Sequence, residues 1–175
     1  YIRSCLENIL TQDYIADEIL VIDGRSTDNT RALVNEIIEE NPHRVIRLLD
    51  NPAKLTAPAL NIGIQAARGE IIVRMDGHTV PDKNYISACV RALETTNAAN
   101  VGGLIRPHSD TIFGQAVAVA QSHPIGAGDA KFHYSQTPQY VDTVYMGAFR
   151  KSIFFKAGLY DESLIRNEDY EMNIR

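Results

Sequence analysis

The sequence predicts an α/β domain with a mostly parallel sheet. Short apolar runs alternate along the chain with longer segments in which apolar residues recur at helical spacing. Two of these runs end in a carboxylate, at Asp23 and at Asp76, and α/β sheets bind ligands at the ends of their strands. The 175 residues, 45% hydrophobic and 22% charged, are enough for one domain with a sizeable core.

The first half of the chain contains three predicted strands and four predicted helices. The run that ends at Asp23 is apolar throughout, which suits a strand buried on both faces. Ser26, Thr27 and Asp28 then supply helix-capping side chains, and Asn41-Pro42 stops the helix. The predicted strands are residues 18–23, 45–49 and 70–75, and the predicted helices are residues 1–10, the segment from this cap to 40, 57–68 and 81–96.

The second half is less regular. Residues 122–139 contain Pro and Gly clusters without a clear period, which predicts a long loop. We find no linker and no repeat, so residues 1–175 are expected to be a single domain. The predicted strands here are residues 101–105 and 141–146, and the predicted helices are residues 111–121, 151–157 and 167–175.

Charge and cysteine content exclude several classes of function. The net charge of −5 argues against binding nucleic acid. Cys5 and Cys89 lie in apolar helical patterns and are predicted to be buried, reduced thiols. No apolar run in these residues approaches the roughly 20 needed to span a bilayer. Dinucleotide-binding glycine, P-loop and nucleophile-elbow motifs do not occur.

Asp76, Gly77 and His78 form a candidate metal site. Carboxylate oxygens suit Mg²⁺ or Mn²⁺, and an imidazole nitrogen favours Mn²⁺. A carboxylate and an imidazole two residues apart, across a flexible glycine, can reach one ion. The alternative is that both side chains only shape a turn.

Two other acidic positions have open interpretations. Asp23 can accept a hydrogen bond from a nucleobase N–H, or it can cap the turn that follows at Ser26. Glu168 and Asp169 can complement the dipole of a helix that starts near Asn167. Alternatively, an ionised Asp169 can serve as a general base.

Three blocks of sequence, in order, resemble the family 2 glycosyltransferases. Residues 18–30 resemble the uridine-binding strand and the turn "D-(D/G)-x-S-T-D-x-T" of that family. Residues 61–78 resemble its "N-x-G-x-x-x-A-x-G-E…D-x-D" block, with His78 in place of the last Asp. Residues 147–169 resemble its "G-x-x-R-R-x-x-F…G-x-F-D-E…E-D" block. Residues 75–78, 102–107 and 141–147 are most similar to succinoglycan-type exopolysaccharide glycosyltransferases.

This resemblance implies a GT-A fold, a three-layer αβα sandwich, here lacking its first strand and its C-terminal part. It implies an inverting transferase that moves a sugar from a nucleotide-diphosphate donor, a UDP-sugar, with Mn²⁺ or Mg²⁺. The acceptor would be a saccharide or lipid-linked saccharide in polysaccharide biosynthesis. The implied location is cytoplasmic, at the inner face of the membrane, with membrane association through parts outside these residues.

The resemblance also assigns roles to individual positions. Asp23 would contact uracil, Asp76 the ribose or the metal shell, and His78 the metal directly. Asp169 would be the catalytic base, with Glu168 beside it at the acceptor. The implied substrate-binding residues are Asp23, Asn61, Asp76 and Gly147, the metal ligands are Asp76 and His78, and the catalytic residues are Asp169 and Glu168.

Two alternatives to an active transferase remain open. The altered D-x-D motif is compatible with a module that binds nucleotide sugars without catalysis. A sugar nucleotidyltransferase has a similar α/β fold, but Glu168 and Asp169 argue against it.

Overall fold

The computed structural model describes residues 1–128, 130–135 and 137–175. The strands are β1 (Ile19–Asp23), β2 (Ile46–Asp50), β3 (Ile71–Val73), β4 (Asn100–Gly103) and β5 (Tyr145–Arg150). The α-helices are α1 (Ile2–Leu10), α2 (Thr30–Glu40), α3 (Thr56–Ala66), α4 (Tyr85–Thr95), α5 (Ile112–Gln121), α6 (Pro124–Ala127), α7 (Ser152–Ala157) and α8 (Glu168–Ile174). The mixture of both elements confirms the α/β class.

β1 and β2 form a parallel pair with helices on both faces. Ile19 and Ile46 pack against α1 and α2 in one cluster with Leu6, Val34 and Ile37. On the opposite face, a Cβ added to Gly63 of α3 would lie 3.6 Å from Ile22. The apolar residues of β1 therefore pack on both sides, as expected for a buried parallel strand.

The expectation of a mostly parallel sheet is wrong for the described residues. β5 lies between β3 and β4 and is antiparallel to both, with Ile72 opposite Phe149 and Val101 opposite Ala148. Gly103 at the end of β4 lies opposite Tyr145 at the start of β5, so the chain re-enters the sheet at the end where β4 leaves it, and β5 runs in the opposite direction. Apolar periodicity predicts that a strand exists but carries no information about its direction.

The fifth strand begins later than its apolar pattern predicts. Residues 141–144 belong to the preceding loop, and the strand runs from Tyr145 to Arg150. Within the predicted loop 122–139 there are two short pieces of helix, α6 and a 3₁₀ turn at Lys131–His133. Asp129 and Gln136, which belong to that predicted loop, lie outside the described residues.

A second apolar cluster joins the C-terminal helices to the sheet. Phe149 of β5 packs against Phe154 of α7, with ring centroids 5.2 Å apart, and Phe154 packs against Tyr160 at 6.2 Å. Ala57 of α3 and Met172 of α8 belong to the same cluster. This packing holds the helix with the acidic pair against the strand that neighbours β3.

An apolar cavity separates the two sheets. β1 has β2 as its sole partner strand within the described residues, and β3 lies at the edge of its own sheet. Glu18, before β1, accepts hydrogen bonds from the backbone N–H groups of Arg68 and Gly69, so the strands begin side by side. The cavity between them measures about 940 Å³ and is lined by side chains of β1, β3, α1, α3 and α4.

Two further expectations can be compared with the fold. Cys5 and Cys89 are buried free thiols, as predicted. In the part of the chain that the structure describes, no helix has the length and apolar character required to cross a membrane.

Candidate active site

The candidate site lies where β1 and β3 end. Asp23 is the last residue of β1 and pairs in register with Asp50, the last residue of β2. Asp76 follows β3 by three residues. The large cavity reaches this edge, where Gly24, Asn51 and residues 76–78 contribute to its wall. The strand-end carboxylates predicted from sequence are therefore brought to one edge of the fold.

Asp23 is a buried, ionised carboxylate. Its Oδ2 accepts hydrogen bonds from the backbone N–H of Ser26 at 3.1 Å and from Arg31 Nη1 at 2.8 Å, and its side chain is 3% exposed. Burial alone would raise the pKa of Asp23, but the hydrogen bonds from Ser26 and Arg31 outweigh it and lower the pKa. The turn-capping alternative is thus observed.

Asp23→Asn should make the free energy of unfolding less dependent on pH. The Asp23 pKa is lower in the folded state than its unfolded value of about 3.9, so the charged group stabilises the fold above that pH. This stabilisation is lost as the pH falls through the folded pKa. Urea unfolding between pH 7 and pH 3 should give a higher free energy of unfolding for the wild type than for Asp23→Asn, and this difference should decrease as the pH falls. Asp50→Asn is the matched control, since Asp50 contacts the same Arg31 but is 64% exposed. A constant difference across this range would contradict the prediction.

The turn after Asp76 is held by hydrogen bonds to the Asp76 backbone carbonyl, so the Asp76 carboxylate takes no part in forming the turn. The backbone N–H of Thr79 and its hydroxyl both donate to the Asp76 carbonyl, at 2.9 and 2.7 Å. Cys5 Sγ lies 3.6 Å from the same oxygen. The carboxylate instead accepts a hydrogen bond from Arg74 Nε at 3.0 Å. The exposed His78 lines the same cavity as Asp76.

Arg74, which the sequence interpretation missed, connects the two acidic positions. Its Nη1 lies 2.6 and 2.7 Å from the two carboxylate oxygens of Asp169, while its Nε contacts Asp76. Burial alone would lower the pKa of Arg74, but the charges of Asp76 and Asp169 raise it above its ordinary value. The available signal in the sequence was an arginine at the end of an otherwise apolar strand, where an unpaired charge is costly.

Glu168 and Asp169 lie in the first turn of α8. Asn167, before the helix, has a left-handed backbone with φ of 63°. Asn173 Nδ2 donates to the Asp169 carbonyl at 2.7 Å. A second cavity of about 360 Å³ is lined by Thr143 and by the segment from Ile165 to Tyr170, which includes both acidic residues. The acidic pair therefore faces a cavity of its own, next to the strand-end site.

The structure places the other two predicted substrate contacts in the framework around the site. The amide of Asn61 is 4% exposed and forms hydrogen bonds with both the N–H and the C=O of Tyr160, each at 2.9 Å. Gly147 accepts a hydrogen bond from the Arg74 N–H at 3.1 Å. A Cβ at Gly147 would lie 2.3 Å from the Asn100 side chain, so a larger residue would force that side chain to move.

Asp76 and His78 fit a metal ion whose other ligands come from a bound substrate and water. No group of three or more His, Cys, Asp or Glu side chains is arranged to hold an ion within residues 1–128, 130–135 and 137–175. Mg²⁺-type sites commonly combine one or two protein ligands with substrate phosphates and water. Two side chains on the wall of one cavity match that arrangement.

Comparison with known proteins identifies the family. A model described as Glycosyl transferase family 2 matches residues 1–156. The chain belongs to glycosyl transferase family 2. This agrees with the three sequence blocks and with the position of the acidic residues at the strand ends.

The relatives of this family 2 chain include a glycosyltransferase and a protein of succinoglycan biosynthesis. It is 29% identical to the "Dolichyl N-acetyl-alpha-D-glucosaminyl phosphate 3-beta-D-2,3-diacetamido-2,3-dideoxy-beta-D-glucuronosyltransferase" of Methanococcus voltae, over 99% of the chain and 56% of that protein. It is also 29% identical to the succinoglycan biosynthesis protein ExoA of Rhizobium meliloti, over 90% of the chain and 48% of that protein. The chain spans about half the length of these relatives.

Solved structures show the same fold. The mannosyltransferase PcManGT of Pyrobaculum calidifontis, solved with GDP-Man and Mn²⁺, matches 98% of this chain and 46% of its own, with a TM-score of 0.72 and 24% identity. TarS of S. aureus, solved with UDP, matches 99% of this chain and 50% of its own, with a TM-score of 0.68 and 14% identity. The family 2 chain thus has the fold of GT-A glycosyltransferases.

Proposed function

We propose that this domain transfers a sugar from a nucleotide-diphosphate donor to a hydroxyl group of a saccharide or lipid-linked saccharide. The observation that carries the proposal is the Arg74 bridge, which joins Asp76 at the large cavity to Asp169 at the small one. A transferase needs a donor site and a proton acceptor side by side. These contacts support such an arrangement.

The large cavity is the proposed donor site, and the donor is a UDP-sugar. Asp23 is the last residue of β1, beside the last residue of β2, and a carboxylate oxygen at this edge can accept a hydrogen bond from an N–H of uracil. UDP in TarS and GDP-Man in the mannosyltransferase are precedents for nucleotide ligands on this fold. Asn61 and Gly147 remain predicted substrate contacts. Their observed hydrogen bonds to Tyr160 and Arg74 support an additional role in holding the residues around the donor site in place.

Asp76 and His78 are the proposed ligands of a divalent ion, Mn²⁺ or Mg²⁺. A bound ion would supply positive charge to the leaving nucleoside diphosphate. Asp76 can contribute to such a site through the Oδ2 atom, since the Arg74 contact ends on Oδ1. The Mn²⁺ present in the mannosyltransferase structure supports a metal in this fold.

The proposed chemistry is a single displacement with inversion. The acceptor hydroxyl forms a bond to the anomeric carbon while the bond from that carbon to the diphosphate oxygen breaks. Asp169 takes the hydroxyl proton, and Glu168 borders the same small cavity, where it can contact the acceptor. We place this reaction in polysaccharide biosynthesis at the cytoplasmic membrane face, consistent with the relative that bears the succinoglycan name.

The apolar cavity also supports the proposal that the catalytic domain has a further strand outside these residues. β1 and β3 present strand edges to this cavity, and its wall includes apolar side chains such as Leu20, Ile22 and Ile72. A parallel strand buried on both faces has this apolar environment. Such a strand would pair with both β1 and β3, join the two sheets into one, and pack against the apolar side chains that line the cavity.

His78→Ala should weaken UDP binding in the presence of Mn²⁺ and leave the weaker metal-free binding unchanged. The imidazole is proposed to contact only the ion, so its loss affects only the metal-dependent part of the affinity. Calorimetric titration of the full-length protein with UDP, with and without Mn²⁺, measures both values. His108→Ala is a matched control, because His108 is 87% exposed and contacts Asp110.

Equal Mn²⁺-dependent affinity in wild type and His78→Ala would remove His78 from the site. A transfer assay on the same samples tests the function itself. Metal-dependent UDP binding without sugar transfer to any saccharide or lipid-linked acceptor would instead support the binding-module alternative.

A further inference from the structure

Arg74 occupies the boundary between the two cavities. Its side chain forms part of the wall of the large cavity, while Asp169, its partner, lines the small one. The arginine side chain is 17% exposed and the Asp169 side chain 40%. The ion pair is therefore covered on the arginine side and open to the small cavity on the carboxylate side.

We propose that Arg74 is a positioning residue that sets the orientation of the Asp169 carboxylate. The inference rests on the proposed function of Asp169 as the proton acceptor. It assigns to Arg74 a role in the rate of transfer rather than in the attachment of substrates.

The geometry of the guanidinium supports this role. A planar guanidinium directs its N–H groups in fixed directions, so its contacts restrain orientation as well as distance. Three hydrogen bonds of 2.6 to 3.0 Å fix two carboxylates that lie 95 and 2 residues away in sequence. The backbone N–H of Arg74 is held by Gly147 of β5 at 3.1 Å, so the arginine itself has a fixed base.

Helix α8 does not depend on Arg74 for its attachment. Met172 is 4% exposed and belongs to the apolar cluster with Phe149 and Phe154. Asn173 accepts a hydrogen bond from Asn100 at 2.8 Å and donates one to Thr143 at 3.2 Å. With the helix held by these contacts, the arginine adds restraint to the carboxylate itself. Partly buried ion pairs also add little net stability compared with apolar packing, so stability alone is a weak reason for this arginine.

The test compares Arg74→Ala, Arg74→Lys, Asp169→Asn and the double variant Arg74→Ala/Asp169→Asn in the full-length protein. Arg74→Ala should lower kcat by about 100-fold, the effect of a misplaced catalytic group, at saturating UDP-sugar and acceptor. Arg74→Lys should remain well below wild type, because a single ammonium nitrogen replaces the separate Nε and Nη1 atoms that contact the two carboxylates. Adding guanidinium ion should restore part of the kcat of Arg74→Ala and leave the wild type unchanged.

The double variant distinguishes positioning from an independent effect. If Arg74 acts through Asp169, Arg74→Ala should cause no further loss of kcat in the Asp169→Asn background. A full multiplicative loss there, or wild-type kcat in Arg74→Ala, would overturn the inference. An active Asp169→Asn enzyme would instead overturn the proposed role of Asp169 as the base, on which the inference rests. Arg47→Ala is the control, since Arg47 is a half-exposed strand arginine paired with Glu18 at 3.6 Å, at the opposite strand ends.

Circular dichroism and thermal unfolding show whether each variant is folded. If Arg74→Ala does not fold, Arg74→Lys decides the matter, because it retains the charge between Asp76 and Asp169. Wild-type kcat in folded Arg74→Lys would then contradict the inference, and a reduced kcat with unchanged UDP affinity would support it.

Discussion

Asp169→Asn is expected to lower kcat by about 100- to 10,000-fold, the usual contribution of a general base. An amide keeps the size of the carboxylate but cannot accept the proton of the attacking hydroxyl. Its carbonyl oxygen can still accept one of the hydrogen bonds from Arg74, so the local structure should be preserved. Turnover is measured as UDP release at saturating substrates, and UDP affinity is measured by calorimetry. The affinity should stay close to wild type, because binding does not use the proton acceptor.

Asp161→Asn is the matched control for this substitution. Asp161 precedes the same helix and is exposed, and its carboxylate accepts hydrogen bonds from the N–H and the hydroxyl of the nearby Ser163. Its replacement should leave kcat unchanged. If Asp169→Asn retains wild-type turnover while Glu168→Gln loses it, the base is Glu168, and the bridge from Arg74 would then have a structural role.

The main elements of the fold followed from the sequence because they depend on local chemistry. The apolar run ending at Asp23 and the helical spacing of Leu6 with its neighbours both produced the expected elements. The direction of β5 did not follow, because it depends on the path of the preceding loop. The start of β5 also differed, since Val141 and Val144 are β-branched residues typical of strands but lie in the preceding loop.

The candidate site was predictable only in part. Asp23 and Asp76 were identified because strand ends are marked in the sequence, and the family blocks supplied Asp169. Arg74 was missed because its role depends on a partner 95 residues away, and a single arginine after an apolar run has many ordinary explanations. The contacts of Asn61 are likewise long-range, since Tyr160 lies 99 residues further along the chain.

Asn61→Ala is expected to lower the free energy of unfolding by about 2–4 kcal/mol, because it leaves buried polar groups without partners. The Asn61 amide satisfies both the N–H and the C=O of Tyr160, and its Nδ2 also reaches Glu162 at 2.8 Å. The midpoint of thermal unfolding should fall by roughly 5–15 °C for a domain of this size. Urea and thermal unfolding measure the change. Asn35→Ala, on the exposed face of α2, is the control and should change stability little.

The same variant separates the two possible roles of Asn61. A substrate contact predicts a higher KM for the donor with an unchanged unfolding midpoint. A framework role predicts the opposite, because Tyr160 belongs to the apolar cluster that holds α8, and with it Asp169, against β5. Loss of this support should therefore lower both kcat and the free energy of unfolding. When the variant and the wild type are assayed at the same temperature, well below the unfolding midpoint of the variant, part of the difference in kcat should disappear. An unchanged unfolding midpoint with a raised KM would show that the Asn61 amide contacts the donor and that its hydrogen bonds to Tyr160 do not stabilise the fold.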